Sequence, residues 1–213
     1  MNYEPLRESM VENQLRRRGI KDELVLKVMK KVPRHEFVPE EHKERAYGDF
    51  PVPIGYGQTV SQPYVVAAMT EALRLKGNEK VLEVGAGSGY QAAILAEIAK
   101  KVYTVELIHK LVEKSRKILK KLGYTNVKVV EGNGEGGFKE GFPYDGILIT
   151  AACHKIPEQL QEQLNEGGRI VVPIGDRAFQ ELFVFTKKKG DFERAFLFDC
   201  RFVPLVGESG WDY

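Results

Sequence analysis

A chain of 213 residues, 43% hydrophobic and 29% charged, has the size of one folded domain and the apolar material for a substantial core, which excludes a disordered chain. Lys plus Arg (32) against Asp plus Glu (30) leaves a formal net charge of +2, so neither nucleic acid nor an anionic membrane is indicated as a partner. No apolar run approaches the ~20 residues of a membrane span, and Met1-Asn2-Tyr3-Glu4-Pro5 lacks the charged-then-apolar pattern of a secretory leader, so a cytoplasmic protein is expected.

Apolar side chains at helical intervals predict two short opening helices, over residues 3–18 (Leu6, Met10, Leu15) and 22–32 (Leu24, Val25, Val28, Met29), with Asp22 capping the second. Pro33, Pro39, Pro51, Pro53 and Pro63 with Gly48, Gly55 and Gly57 then predict an ordered but irregular loop. Its apolar side chains, among them Phe37, Ile54 and Tyr56, give it the means to pack, and a long loop in a compact domain is expected to line a site.

From Pro63 the pattern becomes regular. It predicts a helix to about Leu75, strand 80–84, helix 90–99, strand 102–106, helix 108–122, and strands 127–131, 144–150 and 169–174, with a helix at 156–164. Such alternation requires crossover connections, hence an α/β fold with a doubly wound, mainly parallel sheet. Segments 182–186, 195–198 and 201–205 read as antiparallel strands closing one edge. The whole is expected to be one domain in three parts: N-terminal helices and the irregular loop (1–78), the alternating core (79–175) and C-terminal antiparallel strands and tail (176–213). Cys153 and Cys200 fall in no disulfide or metal-ligand spacing and are expected as buried or half-buried thiols.

The segment Glu83-Val84-Gly85-Ala86-Gly87-Ser88-Gly89 joins an apolar strand to a helix through glycines at alternate positions, which let a ligand approach the backbone closely. Taken alone it is either a tight turn or a nucleotide site. Glu106, about 20 residues on at the end of the next strand, favours the latter, since a carboxylate there can accept both hydroxyls of a ribose. The spacing is G-x-G-x-G, with Tyr90 where a dinucleotide fingerprint would place its third glycine, which argues against a nicotinamide or flavin. Gly132-Asn133-Gly134 forms another open loop at a strand's carboxyl end, where Asn133 could accept from an adenine amino group.

The glycine loop with Glu106 resembles the cofactor site of class I S-adenosylmethionine-dependent methyltransferases, whose fold is Rossmann-like. Further segments are similar to one family among these, the protein-L-isoaspartate (D-aspartate) O-methyltransferases: Val32-Pro33-Arg34-His35-Glu36-Phe37-Val38-Pro39, Gly57-Gln58-Thr59-Val60-Ser61-Gln62-Pro63, Gly167-Gly168-Arg169-Ile170-Val171-Val172-Pro173 and Arg201-Phe202-Val203-Pro204-Leu205. The Gln58 to Pro63 stretch is the most specific of them. One departure stands out: the family usually has Gly-Asp-Gly where this chain has Gly132-Asn133-Gly134. Asn-Gly is prone to deamidation and isoaspartate formation, so Asn133 is itself a candidate for ageing.

The resemblance implies methyl transfer from S-adenosylmethionine to the free α-carboxyl of L-isoaspartyl residues, with D-aspartyl residues as a second acceptor, in damaged proteins and peptides. The ester then closes to a succinimide that hydrolyses partly to aspartate. It implies Glu83, Gly85, Ala86, Gly87, Ser88, Gly89, Glu106, Leu107, Gly132, Asn133 and Gly134 at the cofactor, Gln58, Thr59, Val60, Arg201 and Val203 at the substrate, no metal, and a monomer. Ser61 matches the family's active-site serine, in an orienting role. Its other reading is a helix N-cap ahead of Pro63. His35, His42, His109 and His154 are scattered and read as surface or structural, and Arg16-Arg17-Arg18 as a solvated face. A methyltransferase acting on a small molecule or RNA would share residues 80–131 but would give no reason for the Gln58 to Pro63 stretch.

Overall fold

The computed structural model describes residues 2–211. Helix α1 (Glu4–Ser9) runs into a π-helical segment, Met10–Leu15, and a 3₁₀ turn, Arg16–Arg18, closed by Gly19 at φ 98°. Met10 and Leu15 are buried, the five-residue spacing of a π turn placing both on one face, whereas Leu6 lies in α1, which buries no residue, and is exposed. In α2 (Glu23–Lys31) the Asp22 carboxylate accepts the Leu24 and Val25 N–H groups at 2.9 and 3.2 Å, satisfying two donors that a helix start leaves free.

Residues 33–63 are more regular than their prolines suggest. Turns of 3₁₀ helix at Arg34–Phe37 and Glu40–Arg45 lead into a hairpin of β1 (Val52–Gly55) and β2 (Gln58–Val60). A two-stranded ribbon leaves outward positions where the missing N–H of Pro53 costs nothing. Pro63 then opens α3 (Pro63–Leu73).

The alternating part follows as β3 (Lys80–Val84), α4 (Tyr90–Ala96), β4 (Lys101–Glu106), α5 (His109–Lys121), β5 (Val127–Glu131), β6 (Tyr144–Ile149), α6 (Glu158–Glu162) and β7 (Leu164–Gly175). Strands β8 (Gln180–Lys188) and β9 (Asp191–Cys200) complete a sheet of order β5-β4-β3-β6-β7-β8-β9, parallel through β7 and antiparallel beyond. Side chains alternate across it: Val81, Leu148 and Val171 join a core with Val25, Met69, Ile94 and Leu111, while Leu82, Ile147, Ile149 and Ile170 join a second with Leu160.

Two expectations at the C-terminal side need correction. The helix expected over 156–164 is reduced to α6, because sheet pairing begins at its end: Tyr144 N–H donates to Gln163 O at 2.9 Å and Leu164 already opposes Tyr144. Arg201–Leu205 is not a third antiparallel strand. Pro204 cannot donate to a ladder. Beyond β9 the backbone ladder with β8 gives way to the Gln180 side chain, which accepts Phe202 N–H at 2.6 Å, and the segment turns to Ala152, whose N–H donates to Val203 O at 2.8 Å and whose O accepts Leu205 N–H at 2.7 Å. Cys153 is buried and Cys200 half-buried, both free, and burial pushes each thiol up to about 12. Among the described residues no helix is long and apolar enough to cross a membrane.

Candidate cofactor and substrate site

Strands β4 and β5 lie on one side of β3, and β6 and β7 on the other, so strand order reverses between β3 and β6. Open α/β sheets bind ligands at the carboxyl ends of such a switch point. A cavity of about 790 Å³ occupies it, walled by the glycine loop, the ends of β4 and β5, the Gln58–Gln62 stretch and residues 198–206.

The glycine loop is shaped by its surroundings. Gly85 (φ 96°) passes directly under Thr150, whose hydroxyl donates to Val84 O and Gly85 O at 2.9 and 2.7 Å, and a Cβ on Gly85 would collide with it. Gly89 (φ 87°) starts α4 against Ser115 and Leu119 of α5, where a Cβ would approach to 3.3 Å. Gly85, Ala86, Gly87 and Ser88 line the cavity; Gly89 lies behind them, as does Gly132, whose N–H donates to Glu106 O at 3.0 Å.

Glu106, at the end of β4, is buried and locks this loop. One carboxylate oxygen accepts Gly87 N–H at 2.8 Å and the other Ile108 N–H at 2.9 Å. Each oxygen retains acceptor capacity toward the cavity, which suits a pair of vicinal hydroxyls. Leu107 follows as an exposed apolar side chain on the cavity wall.

Glu83 differs in character. It is fully buried and borders the cavity, and neither carboxyl oxygen has a hydrogen-bond partner among the described residues. Burial pushes its pKa up to about 8, opposed by the nearby Thr104 hydroxyl and reinforced by the charge of Glu106, so Glu83 holds a proton at neutral pH.

Asn133 and Gly134 line the cavity beyond β5. The Asn133 carboxamide oxygen accepts Glu135 N–H at 3.0 Å, and Gly134 is buried against Val84 with no room for a Cβ. Both groups that must meet for deamidation are therefore held in place. Peptide mapping after prolonged warm incubation is expected to find deamidated Asn133 accumulating more slowly in the folded chain than in the urea-unfolded chain; equal rates would refute this.

Gln58, Thr59, Val60 and Ser61, presented by β2 and the step into α3, line the same cavity, as do Arg201 and Val203 in the 198–206 segment. The loop thus lines the site, as its composition suggested. Ser61 is half-buried on the wall and does not cap α3: the cap position is Gln62, with no side-chain cap bond, and the Ser61 hydroxyl makes no hydrogen bond among the described residues. Gln62 instead donates to Asp49 O at 3.0 Å and pins the stretch.

Several wall residues were invisible in the sequence. Arg18 is exposed, as expected of its charged run, and its guanidinium also lies 3.7 Å from the Tyr64 ring centroid and 2.5 Å from Asp49, on the cavity wall. Tyr64 in turn packs on Phe198, with ring centroids 5.5 Å apart. Only tertiary structure brings these three together. None of the four histidines lines the cavity, and among the described residues no group of three His, Cys, Asp or Glu side chains is placed to hold a metal ion.

Comparison with known proteins agrees with this geometry. Residues 6–210 match the family model described as Protein-L-isoaspartate(D-aspartate) O-methyltransferase. The chain is 56% identical over 209 residues to the protein-L-isoaspartate O-methyltransferase of Dictyoglomus turgidum, covering 98% of this chain and 94% of that one. It is 50% identical to protein-L-isoaspartate O-methyltransferase 1 of Syntrophobacter fumaroxidans, covering 100% and 99%. Among solved structures it resembles a protein-L-isoaspartate O-methyltransferase from Plasmodium falciparum in complex with S-adenosyl-L-homocysteine, with a TM-score of 0.82, 30% identity, and 94% and 98% of the two chains covered. A second, longer protein-L-isoaspartate O-methyltransferase gives a TM-score of 0.85 at 31% identity, with 95% of this chain and 66% of the other covered. The chain belongs to the protein-L-isoaspartate(D-aspartate) O-methyltransferase family.

Proposed function

We infer that this chain is a protein repair enzyme that transfers a methyl group from S-adenosylmethionine to the free α-carboxyl of L-isoaspartyl residues in damaged proteins and peptides. The observation that carries the reading is a cavity lined both by the glycine loop with Glu106 and by Gln58–Ser61, within a chain whose relatives over nearly its full length are protein-L-isoaspartate O-methyltransferases. The residues fit the cofactor: Glu106 has carboxylate lone pairs for a ribose diol, Gly85 to Ser88 offer bare backbone, and Glu83 places a carboxyl at the wall for a cationic ligand. When bound, S-adenosylmethionine supplies an electrophilic methyl on a sulfonium.

The acceptor needs little help beyond alignment. An α-carboxyl with a reference pKa of about 3.3 to 3.7 is ionised at neutral pH, so no general base is required. In-line placement alone can supply up to about 7 to 11 kcal/mol in well-oriented systems. We assign that placement to Ser61, whose hydroxyl donates to one oxygen of the acceptor carboxylate. Gln58, Thr59 and Val60 shape the pocket around it. The backbone of Arg201 and Val203 holds an extended peptide, a mode that reads main chain and tolerates many sequences. We further assign residues 79–175 to the cofactor and 1–78 with 176–213 to the peptide, and propose a cytoplasmic monomer. D-Aspartyl residues are a second acceptor class.

Ser61→Ala tests this arrangement. Loss of one hydrogen bond to a charged group, about 1.5 to 3 kcal/mol, is expected to lower kcat on an L-isoaspartyl peptide by about 10- to 100-fold while the dissociation constant of S-adenosylhomocysteine is unchanged. An undiminished kcat would remove Ser61 from the reaction.

A further inference from the structure

Glu135 takes no part in the site as assigned above, yet it joins the site's two halves. Its N–H is held by Asn133 at the cofactor side, and its carboxylate accepts the N–H groups of Glu208 at 3.0 Å and Ser209 at 2.5 Å. Two successive backbone donors converging on one carboxylate form a charge-assisted grip. Gly207, at φ 141°, brings the chain so close that a Cβ there would collide with the carboxylate.

The gripped turn is closed on itself. Gly210 N–H donates to Gly207 O at 3.1 Å, Trp211 N–H to Leu205 O at 2.9 Å and His154 N–H to Ser209 O at 2.8 Å, while the Trp211 and His154 rings meet at a tilt of 54° with centroids 4.4 Å apart. Immediately upstream in the same segment, Arg201, Val203, Leu205 and Val206 line the cavity. A single side chain thus ties the loop bearing Asn133 and Gly134 to the wall assigned to the peptide.

We propose that Glu135 is a positioning residue: its carboxylate latches residues 207–209 and so fixes the Arg201–Val206 wall relative to the cofactor loop, coupling occupancy of the cofactor site to peptide binding. The identity of the peptide rests on the repair-methyltransferase reading; the latch itself does not. By linkage, the factor by which cofactor tightens peptide binding equals the factor by which peptide tightens cofactor binding, and loss of the latch lowers both.

Trp211 is the sole tryptophan, so its fluorescence reads the latch without any turnover. Two variants open the latch from opposite sides: Glu135→Gln removes the charge, and Gly207→Ala inserts a Cβ against the carboxylate. Each is expected to red-shift Trp211 emission and increase its quenching by acrylamide. Each should also raise KM for an L-isoaspartyl peptide about tenfold, with kcat and the dissociation constant of S-adenosylhomocysteine within about twofold of the unmodified enzyme. Unchanged Trp211 emission and peptide KM in both variants would overturn the proposal. So would parallel losses of kcat and cofactor affinity, which mark a merely structural role. If the unmodified enzyme esterifies no isoaspartyl peptide, the functional reading falls, and the latch still stands or falls on Trp211.

Discussion

Glu106→Ala is expected to weaken S-adenosylmethionine binding by at least about 100-fold, the two lost hydrogen bonds to a buried carboxylate being worth about 1.5 to 3 kcal/mol each. The effect is large because Glu106 acts twice. Its oxygens hold Gly87 N–H at 2.8 Å and Ile108 N–H at 2.9 Å, setting the loop, while their remaining lone pairs face the cavity. Alanine removes the ribose acceptor and leaves both N–H groups unpaired. Glu106→Gln retains one acceptor oxygen and should fall between. Isothermal titration with S-adenosylhomocysteine, which shares the ribose, reads the loss directly; a change below about threefold in the alanine variant would remove Glu106 from the cofactor site.

The second large effect is on pH dependence, through Glu83. Burial raises its pKa from 4.5 in the ordinary case to about 8 in the folded chain. Between those values the folded state holds a proton that the unfolded state has released. Stability from this group is therefore fully present below pH 4.5 and is lost as pH rises toward about 8, at up to about 1.4 kcal/mol per pH unit. Glu83→Gln, close in shape to the protonated acid, should abolish this dependence. Urea unfolding of the cofactor-free protein at pH 6 and pH 8.5 is expected to show a larger fall for the unmodified chain than for the variant, and equal falls would contradict a protonated Glu83. A cationic ligand beside Glu83 favours its ionised form, so S-adenosylmethionine affinity should rise from pH 6 to pH 8, less so in the variant.

How much of this was readable in the sequence depended on how local the cause was. The Asp22 cap, the β3 glycine loop and Glu106 are set by short-range spacing, and each lies where its spacing placed it. The hairpin β1–β2 was hidden because Pro53 and the glycines around Tyr56 signal breaks, although an isolated ribbon tolerates them. Arg201–Leu205 reads as a strand by its apolar pattern, but it takes its bonds from Ala152, a pairing that no local pattern encodes. Arg18 is exposed, as its charged run suggests, but its meeting with Tyr64 and Asp49, which also sets it on the cavity wall, is written in no local pattern. The protonation of Glu83 was equally out of reach, since it follows from burial rather than from sequence neighbours.

The most direct test of the repair assignment compares two synthetic peptides identical except for one linkage, L-isoaspartyl in one and L-aspartyl in the other, with methyl-labelled S-adenosylmethionine. The account predicts base-labile label on the isoaspartyl peptide and none on its aspartyl counterpart. Equal labelling of both, or label on neither while cofactor binding is confirmed by titration, would contradict it and point to a different methyl acceptor.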